Sequence, residues 1–251
     1  MSLQEEYTKQ ISSIWDKWSD EKDTWTIPIT HEEFLQAKQG NYKMTITCQK
    51  CVPQKWYEPV KNKKLLGLAS GGGQQMPIFA ALGADVTVFD YSDKQLEAEK
   101  MVAEREGYNI SIIKGDMSKK FPFEDDSFDI LFNPVSVCYI DDVEHVWKEC
   151  FRVLKHDGIL MSGFGNPFQM ALDENGKVTH TLPINPIKSI QDKGLNALNE
   201  DECYFSHSLD TLIGGQARAG FFLTDLYEDY YFESEIVPTF IATKAIKLCV
   251  K

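Results

Sequence analysis

Apolar residues at Tyr7, Ile11, Ile14, Trp15 and Trp18 recur every three or four positions, which predicts an amphipathic helix over residues 3–18. Thr30 stands three residues before Glu33, the spacing of a capping box. A second helix is expected to start there and to stop at Gly40. From residue 64 the pattern becomes regular. Short apolar or β-branched runs at 64–68, 85–89, 110–114, 128–132 and 158–163 predict strands. Helices are predicted between them at 75–82, 92–106 and 143–154, with Ser92 as a cap and Gly83 and Gly107 as stops. Strand and helix alternating in this way imply parallel βαβ units with right-handed crossovers.

The C-terminal part departs from that rhythm. Residues 208–219 predict a helix capped by Ser208 and stopped by Gly220. Gly214 and Gly215 inside it cost about 1 kcal/mol each relative to alanine. Close packing, close approach of a ligand, or a kink would account for them. Runs at 222–232 and 239–248 read as an antiparallel hairpin with Pro238 in its bend. The expected fold is therefore α/β: a seven-stranded, mostly parallel sheet closed by a C-terminal hairpin, with helices on both faces. Residues 1–62 are expected to form a helical cap on the substrate side of a core spanning 63–251. Residues 166–207 fit no core element and are expected to be an insertion over the sheet's carboxyl edge.

Composition narrows the function classes. A chain of 251 residues, 43% hydrophobic and 25% charged, can bury a large core and has no signature of disorder. A net charge of −12 repels phosphate backbones, so a nucleic-acid partner is not expected. Lys61, Lys63 and Lys64 read as a solvated linker before a strand rather than a binding patch. Among Cys48, Cys51, Cys138, Cys150, Cys203 and Cys249, only the first two have ligand-like spacing. No second pair or histidines follow at zinc spacing, so no metal is expected and the thiols read as structural. Scattered thiols, an N-terminus without a signal-like apolar run, and no stretch of ~20 apolar residues point to a soluble cytoplasmic protein.

The chemistry gathers at the carboxyl ends of the predicted strands. The first strand runs into Ala69-Ser70-Gly71-Gly72-Gly73, and a helix follows at once. Glycines there let the backbone approach a ligand closely, and the helix start adds amide donors. The second strand ends in Asp90, 17 residues after Gly73, where a carboxylate would accept both hydroxyls of a ribose. Tyr91 follows and would cover one face of a base. The third strand ends at Asp116-Met117, an acid for an exocyclic amine and a side chain to pack on a ring.

Loop, second-strand acid and third-strand acid together resemble class I S-adenosylmethionine (SAM)-dependent methyltransferases, which have a Rossmann-like sheet. Two further segments are similar to the ubiquinone/menaquinone-biosynthesis-type branch, called type 11: Phe121-Pro-Phe-Glu-Asp-Asp-Ser-Phe-Asp129, and Trp147-Lys-Glu-Cys-Phe-Arg-Val-Leu-Lys-His-Asp-Gly-Ile-Leu160. The resemblance runs continuously over about residues 63–165. Residues 68–75, Leu-Ala-Ser-Gly-Gly-Gly-Gln-Gln, look like a bacterial subgroup without an assigned substrate. The resemblance implies SAM as cofactor, with Gly71 and Gly73 against its methionine part. Ala69 and Ser70 belong to the same expected cofactor loop, and Tyr91 is expected over one face of the adenine. The resemblance places Asp90 at the ribose, Asp116 and Met117 at the adenine, and Asn133 near the methionine carboxylate or the reacting methyl. This chain departs from the family at Gly67, where an acid is usual, and at Ala69, where a glycine is usual. The missing acid leaves the cofactor's amino group to a backbone carbonyl or to Asn133.

Methyl transfer from a sulfonium is a direct displacement, so alignment and desolvation matter more than a dedicated base. His207 and Tyr139 are the candidate catalytic residues, and Gln216 is a further polar group. Each also has an ordinary structural role open to it. Trp15, Trp18 and Trp25 would either line an aromatic pocket or pack the N-terminal helices. A small-molecule acceptor is the expected substrate. The alternatives are an RNA or protein methyltransferase, a non-catalytic SAM-binding module, and a nicotinamide enzyme, whose fingerprint wants a small residue at Met76. Asn133-Pro134-Val135-Ser136 also partly matches the motif of amino-methylating DNA enzymes, without its second proline and aromatic.

Overall fold

The computed structural model describes residues 2–173, 175–179, 181–188, 203–232 and 236–248. Residues 174, 180 and 189–202 of the expected insertion, and Cys249, lie outside the described residues. The strands are β1 (Lys64–Leu68), β2 (Asp85–Asp90), β3 (Ser111–Lys114), β4 (Phe128–Asn133), β5 (Leu154–Gly165), β6 (Phe222–Asp229) and β7 (Phe240–Ile246). They form one sheet in the order β3-β2-β1-β4-β5-β7-β6. β1 to β5 run parallel, and β7 pairs antiparallel with both β5 and β6. This is the seven-stranded, mostly parallel α/β sheet that the pattern predicts.

The helices are α1 (Leu3–Glu21), α2 (His31–Lys38), α3 (Gln75–Ala81), α4 (Asp93–Glu106), α5 (Val143–Val153) and α6 (Gly215–Arg218). Thr30 and Glu33 form the capping box on α2, and Ser92 caps α4, which stops at Gly107 with φ 70°. Alternation along the strands separates two cores. Leu66, Leu68, Phe89, Leu131 and Leu160 face α5. Leu65, Val86, Val88, Ile130 and Met161 face the other way, toward α3 and the apolar residues Met44, Ile46, Val52, Trp56 and Tyr57. A parallel sheet covered on both faces needs apolar residues on both.

Two elements differ from the pattern. The helix is predicted through residue 154 and the fifth strand from residue 158, but β5 already begins at Leu154. Leu154 pairs with Phe128 and Ile159 with Ile130, so the turn holding Asp157 at φ 62° is an excursion inside the strand. The helix predicted over 208–219 contains a π-helical turn, Asp210–Gly214, that runs into α6. Trp147 Nε1 donates to the Thr211 carbonyl in that turn at 3.2 Å. A Cβ on Gly215 would lie 2.8 Å from Trp147 Cδ1, so close packing on Trp147 accounts for the glycine.

The two motif segments at 121–129 and 147–160 prove to be one hydrogen-bonded unit. Arg152 on α5 donates to the carbonyls of Phe121 and Phe123 at 3.0 and 2.7 Å, and to Asp125 at 2.8 Å. Glu149 holds the same guanidinium and accepts from Phe121 N–H at 2.7 Å.

Asp229, at the end of β6, orders the turn that carries Cys48. Its Oδ2 accepts from Thr47 Oγ1 at 2.7 Å and from the N–H groups of Cys48, Gln49 and Lys50 at 2.8–3.0 Å. Burial pushes the carboxyl up, but the donors outweigh it and hold Asp229 below the ordinary value. A carboxylate whose folded pKa is depressed stabilises the fold above its unfolded pKa and loses that contribution as pH falls. Asp229→Ala is expected to lower stability at pH 7 by about 2–4 kcal/mol, because a buried charge-assisted cluster is lost. Urea unfolding of the two proteins should show this gap, and the gap should narrow as the pH falls below about 4.

Candidate active site

β1 ends at Leu68, and the chain turns through Ala69 at φ 47°, a left-handed conformation that strains any residue with a Cβ. Alanine is the smallest such residue. The loop beyond it is tied down by its own amides. Gly71 N–H donates to Asp90 Oδ2 at 2.9 Å, Gly72 N–H to the Gln95 carbonyl at 2.9 Å, and Gly73 N–H to Glu99 Oε1 at 2.7 Å. A dinucleotide site presents its loop amides to a pyrophosphate. Here those three amides are engaged with β2 and α4, which argues against the nicotinamide reading.

Asp90 is held on both oxygens, with Ser92 N–H on Oδ1 at 3.0 Å opposite Gly71 on Oδ2. Burial pushes its carboxyl above the ordinary range, against the hydrogen bonds from Ser92, Gly71 and Tyr91 that lower it. The carboxylate lines a chamber of about 480 Å³, inside the roughly 300–1,000 Å³ of small-molecule pockets. Ala69, Ser70, Gly71, Tyr91, Asp116 and Met117 line the same chamber. Seven of the nine expected cofactor residues are thus brought together at the carboxyl ends of β1, β2 and β3. Asp116 Oδ1 accepts from Ser118 N–H at 2.8 Å.

The other two, Gly73 and Asn133, stand behind the wall. Asn133 is fully buried. Its Nδ2 donates to the Leu68 carbonyl at 3.0 Å and to Ser136 Oγ at 2.5 Å, and its Oδ1 accepts from Ser162 at 3.1 Å. Gln216 extends this buried network through Thr243 at 3.1 Å and does not line the chamber. His207 also lies off the chamber, stacked on Phe205 with ring centroids 5.5 Å apart, and burial lowers its pKa. Tyr139 does line it, edge-on to Trp15 at 6.3 Å, and burial raises its phenol well above the ordinary value.

α1 roofs the chamber with Ile11, Ser12, Trp15 and Trp18. Its contacts with the start of α4 are polar. Asp16 Oδ1 accepts from Ser92 Oγ at 2.6 Å and Lys94 N–H at 3.2 Å, and Ser19 Oγ accepts from Gln95 Nε2 at 2.6 Å. At its other end Tyr7 and Ile11 pack on Ile187, Cys203 and Phe205, and the Tyr7 hydroxyl donates to the Cys203 carbonyl. Residues 181–188 and 203–207 therefore sit against α1 and the turn after β4. Trp25, Ile46, Met170, Tyr231 and Phe240 also line the chamber.

Sequence reasoning missed Asp16 and Glu99. Glu99 does leave a signal, since it falls among Leu96, Val102 and Ala103 on the buried stripe of α4. A carboxylate at an apolar helix position needs a partner, and Gly73 N–H is that partner.

Residues 66–162 match the family described as a methyltransferase domain. A crystal structure of a SAM-dependent methyltransferase from Mesorhizobium loti is similar with a TM-score of 0.60 at 19% identity, covering 77% of this chain and 94% of that one. The (4+2)-cyclase SpnF is similar with a TM-score of 0.63 at 15% identity, covering 96% of this chain and 97% of that one. The fold alone thus serves more than one chemistry. A nearer relative carries the assignment: the chain is 41% identical over 247 residues to the uncharacterized methyltransferase YbaJ of Bacillus subtilis, covering 94% of this chain and 97% of that protein. The protein is a class I SAM-dependent methyltransferase. It belongs to the same family as YbaJ.

Burial raises the pKa of Glu99 to about 8, against the Gly73 N–H that lowers it. The folded chain therefore keeps a proton that the unfolded chain has lost, so stability falls as pH rises from about 4.5 to about 8. Glu99→Gln keeps an oxygen for Gly73 and removes the titration. Thermal melts at pH 5.5 and pH 8 should show a clear drop for wild type and a much smaller one for the variant.

Proposed function

We propose that SAM lies along the carboxyl edge from β3 to β4, and that a small, largely apolar acceptor enters the aromatic end of the chamber beneath α1. The observation that carries this reading is the placement of Asp90. Its oxygens keep lone pairs beyond the Gly71 and Ser92 bonds, enough to accept both ribose hydroxyls. Asp116 keeps Oδ2 for the adenine amino group, with Met117 and Tyr91 flanking the ring. Ala69, Ser70 and Gly71 face the methionine part. Gly73 and Asn133 support it from behind, one by fixing the loop on Glu99 and the other by fixing Ser136.

SAM supplies, when bound, a methyl group on a cationic sulfur that an acceptor lone pair displaces. The chain aligns the acceptor and excludes water. Trp15, Trp18, Trp25, Tyr231, Met170 and Phe240 make a wall suited to a flat or hydrophobic molecule, or to a cation held on ring faces. Among the described residues that line the chamber there is no lysine, arginine or histidine. A roofed chamber and a net charge of −12 favour a small acceptor over a nucleic acid. No helix of the described residues is long and apolar enough to cross a membrane, and the described cysteines form no disulfide. Both are in keeping with a cytoplasmic enzyme.

Calorimetry is expected to show binding of S-adenosylhomocysteine and none of NAD. Asp90→Ala should weaken that binding by on the order of a hundredfold, the loss of two hydrogen bonds to a charged acceptor. Unchanged affinity would remove the cofactor assignment. Turnover of small phenols, thiols or amines is expected in a metabolite panel, and silence there with activity on RNA or protein would remove the small-acceptor reading.

A further inference from the structure

A second cavity of about 400 Å³ adjoins the chamber. Five residues, Trp25, Thr47, Gln74, Gln75 and Tyr231, line both. The rings of Trp25 and Tyr231, with centroids 5.9 Å apart, belong to this shared wall. The turn that Asp229 organises supplies Thr47, Cys48 and Gln49 to the second cavity. Four donors on one carboxylate oxygen make that turn a fixed wall rather than a loose loop.

The two cavities differ in charge. Among the described residues, the charged groups lining the chamber are both acids, Asp90 and Asp116. The charged group lining the second cavity is a cation, Lys43, in the company of Thr24, Thr45 and Gln49. Lys43 is exposed and pairs with no carboxylate among the described residues. Asp229 stands behind the turn, but its Oδ2 is taken up by the four donors. An aromatic chamber that continues into a polar cavity with an unpaired cation fits a molecule that is apolar at one end and anionic at the other. An ion pair open to water adds little affinity, but it fixes which way round such a molecule lies.

We propose that the methyl acceptor is elongated, with its apolar body in the chamber, a middle section passing Trp25 and Tyr231, and an anionic end group beside Lys43 in the second cavity. This rests on the acceptor placement proposed above. Calorimetry on the full chain saturated with S-adenosylhomocysteine tests it with two probes of one length, 6-phenylhexanoate and 6-phenylhexan-1-ol. Wild type is expected to bind the carboxylate roughly fivefold more tightly than the alcohol, the size of an ion pair open to water. Lys43→Gln should remove that preference, and Lys43→Glu should reverse it. The bound carboxylate should also slow alkylation of Cys48 by iodoacetamide, read by mass spectrometry, and leave the exposed Cys51 unaffected. Equal binding of the two probes to wild type, a preference that survives Lys43→Glu, or a Cys48 no less reactive with the carboxylate bound would overturn the proposal and leave the apolar chamber standing. Failure of both probes to bind wild type would overturn the acceptor placement itself, a separate result from any change at Lys43.

Discussion

Three consecutive amides, those of Gly71, Gly72 and Gly73, donate to Asp90, Gln95 and Glu99. Most of what lies around the chamber depends on this attachment. It draws the loop after β1 onto the end of β2 and the first turns of α4, leaving a floor of backbone rather than a nest of free N–H groups. A floor of that kind suits a ligand without phosphates. It also fixes Asp90, since the carboxylate that faces the chamber is the one the loop grips. Charge and shape are set together here, because the loop cannot move without loosening the acid.

A second unit stabilises the opposite flank. Arg152 and Glu149 on α5 hold the backbone at Phe121 and Phe123 on the approach to β4. Phe121 and Phe123 in turn pack on Phe89 of β2, with ring centroids 5.5 Å apart in each pair. The motif segments that mark the family are thus structural, and they act at a distance by keeping the ends of β2 and β4 in place. Asn133 works in the same manner from within the sheet, joining β1, β4 and β5 through Leu68 and Ser162.

The strands and helices of the core were legible in the sequence because burial imposes a period, and periods survive in a string of residues. So were the glycine loop, Asp90 and Asp116, which occupy strand ends that any open parallel sheet uses for ligands. The excursion at Asp157 inside β5 was not legible, because strand pairing decides where a strand begins, and pairing is a long-range property. The π-helical turn at Asp210–Gly214 depends in the same way on Trp147 from a distant helix. Asp16 and Asp229 look like any surface carboxylate in the sequence. Their partners lie 76 and 182 residues away, and no local pattern joins them.

The bonds from Asp16 to Ser92 and Lys94 have a thermodynamic side. They tie α1 to the residue whose own N–H holds Asp90. α1 and Asp90 therefore meet on one short stretch of chain, at Ser92. Any shift of α1 with occupancy would be reciprocal: the factor by which the shift tightened the hold on a ligand would be the factor by which that ligand favoured the shift. Residence time would then be a property of the N-terminal helix as much as of the pocket. The polar ties along α1, unlike its apolar packing on Phe205, are ones that water can replace at modest cost.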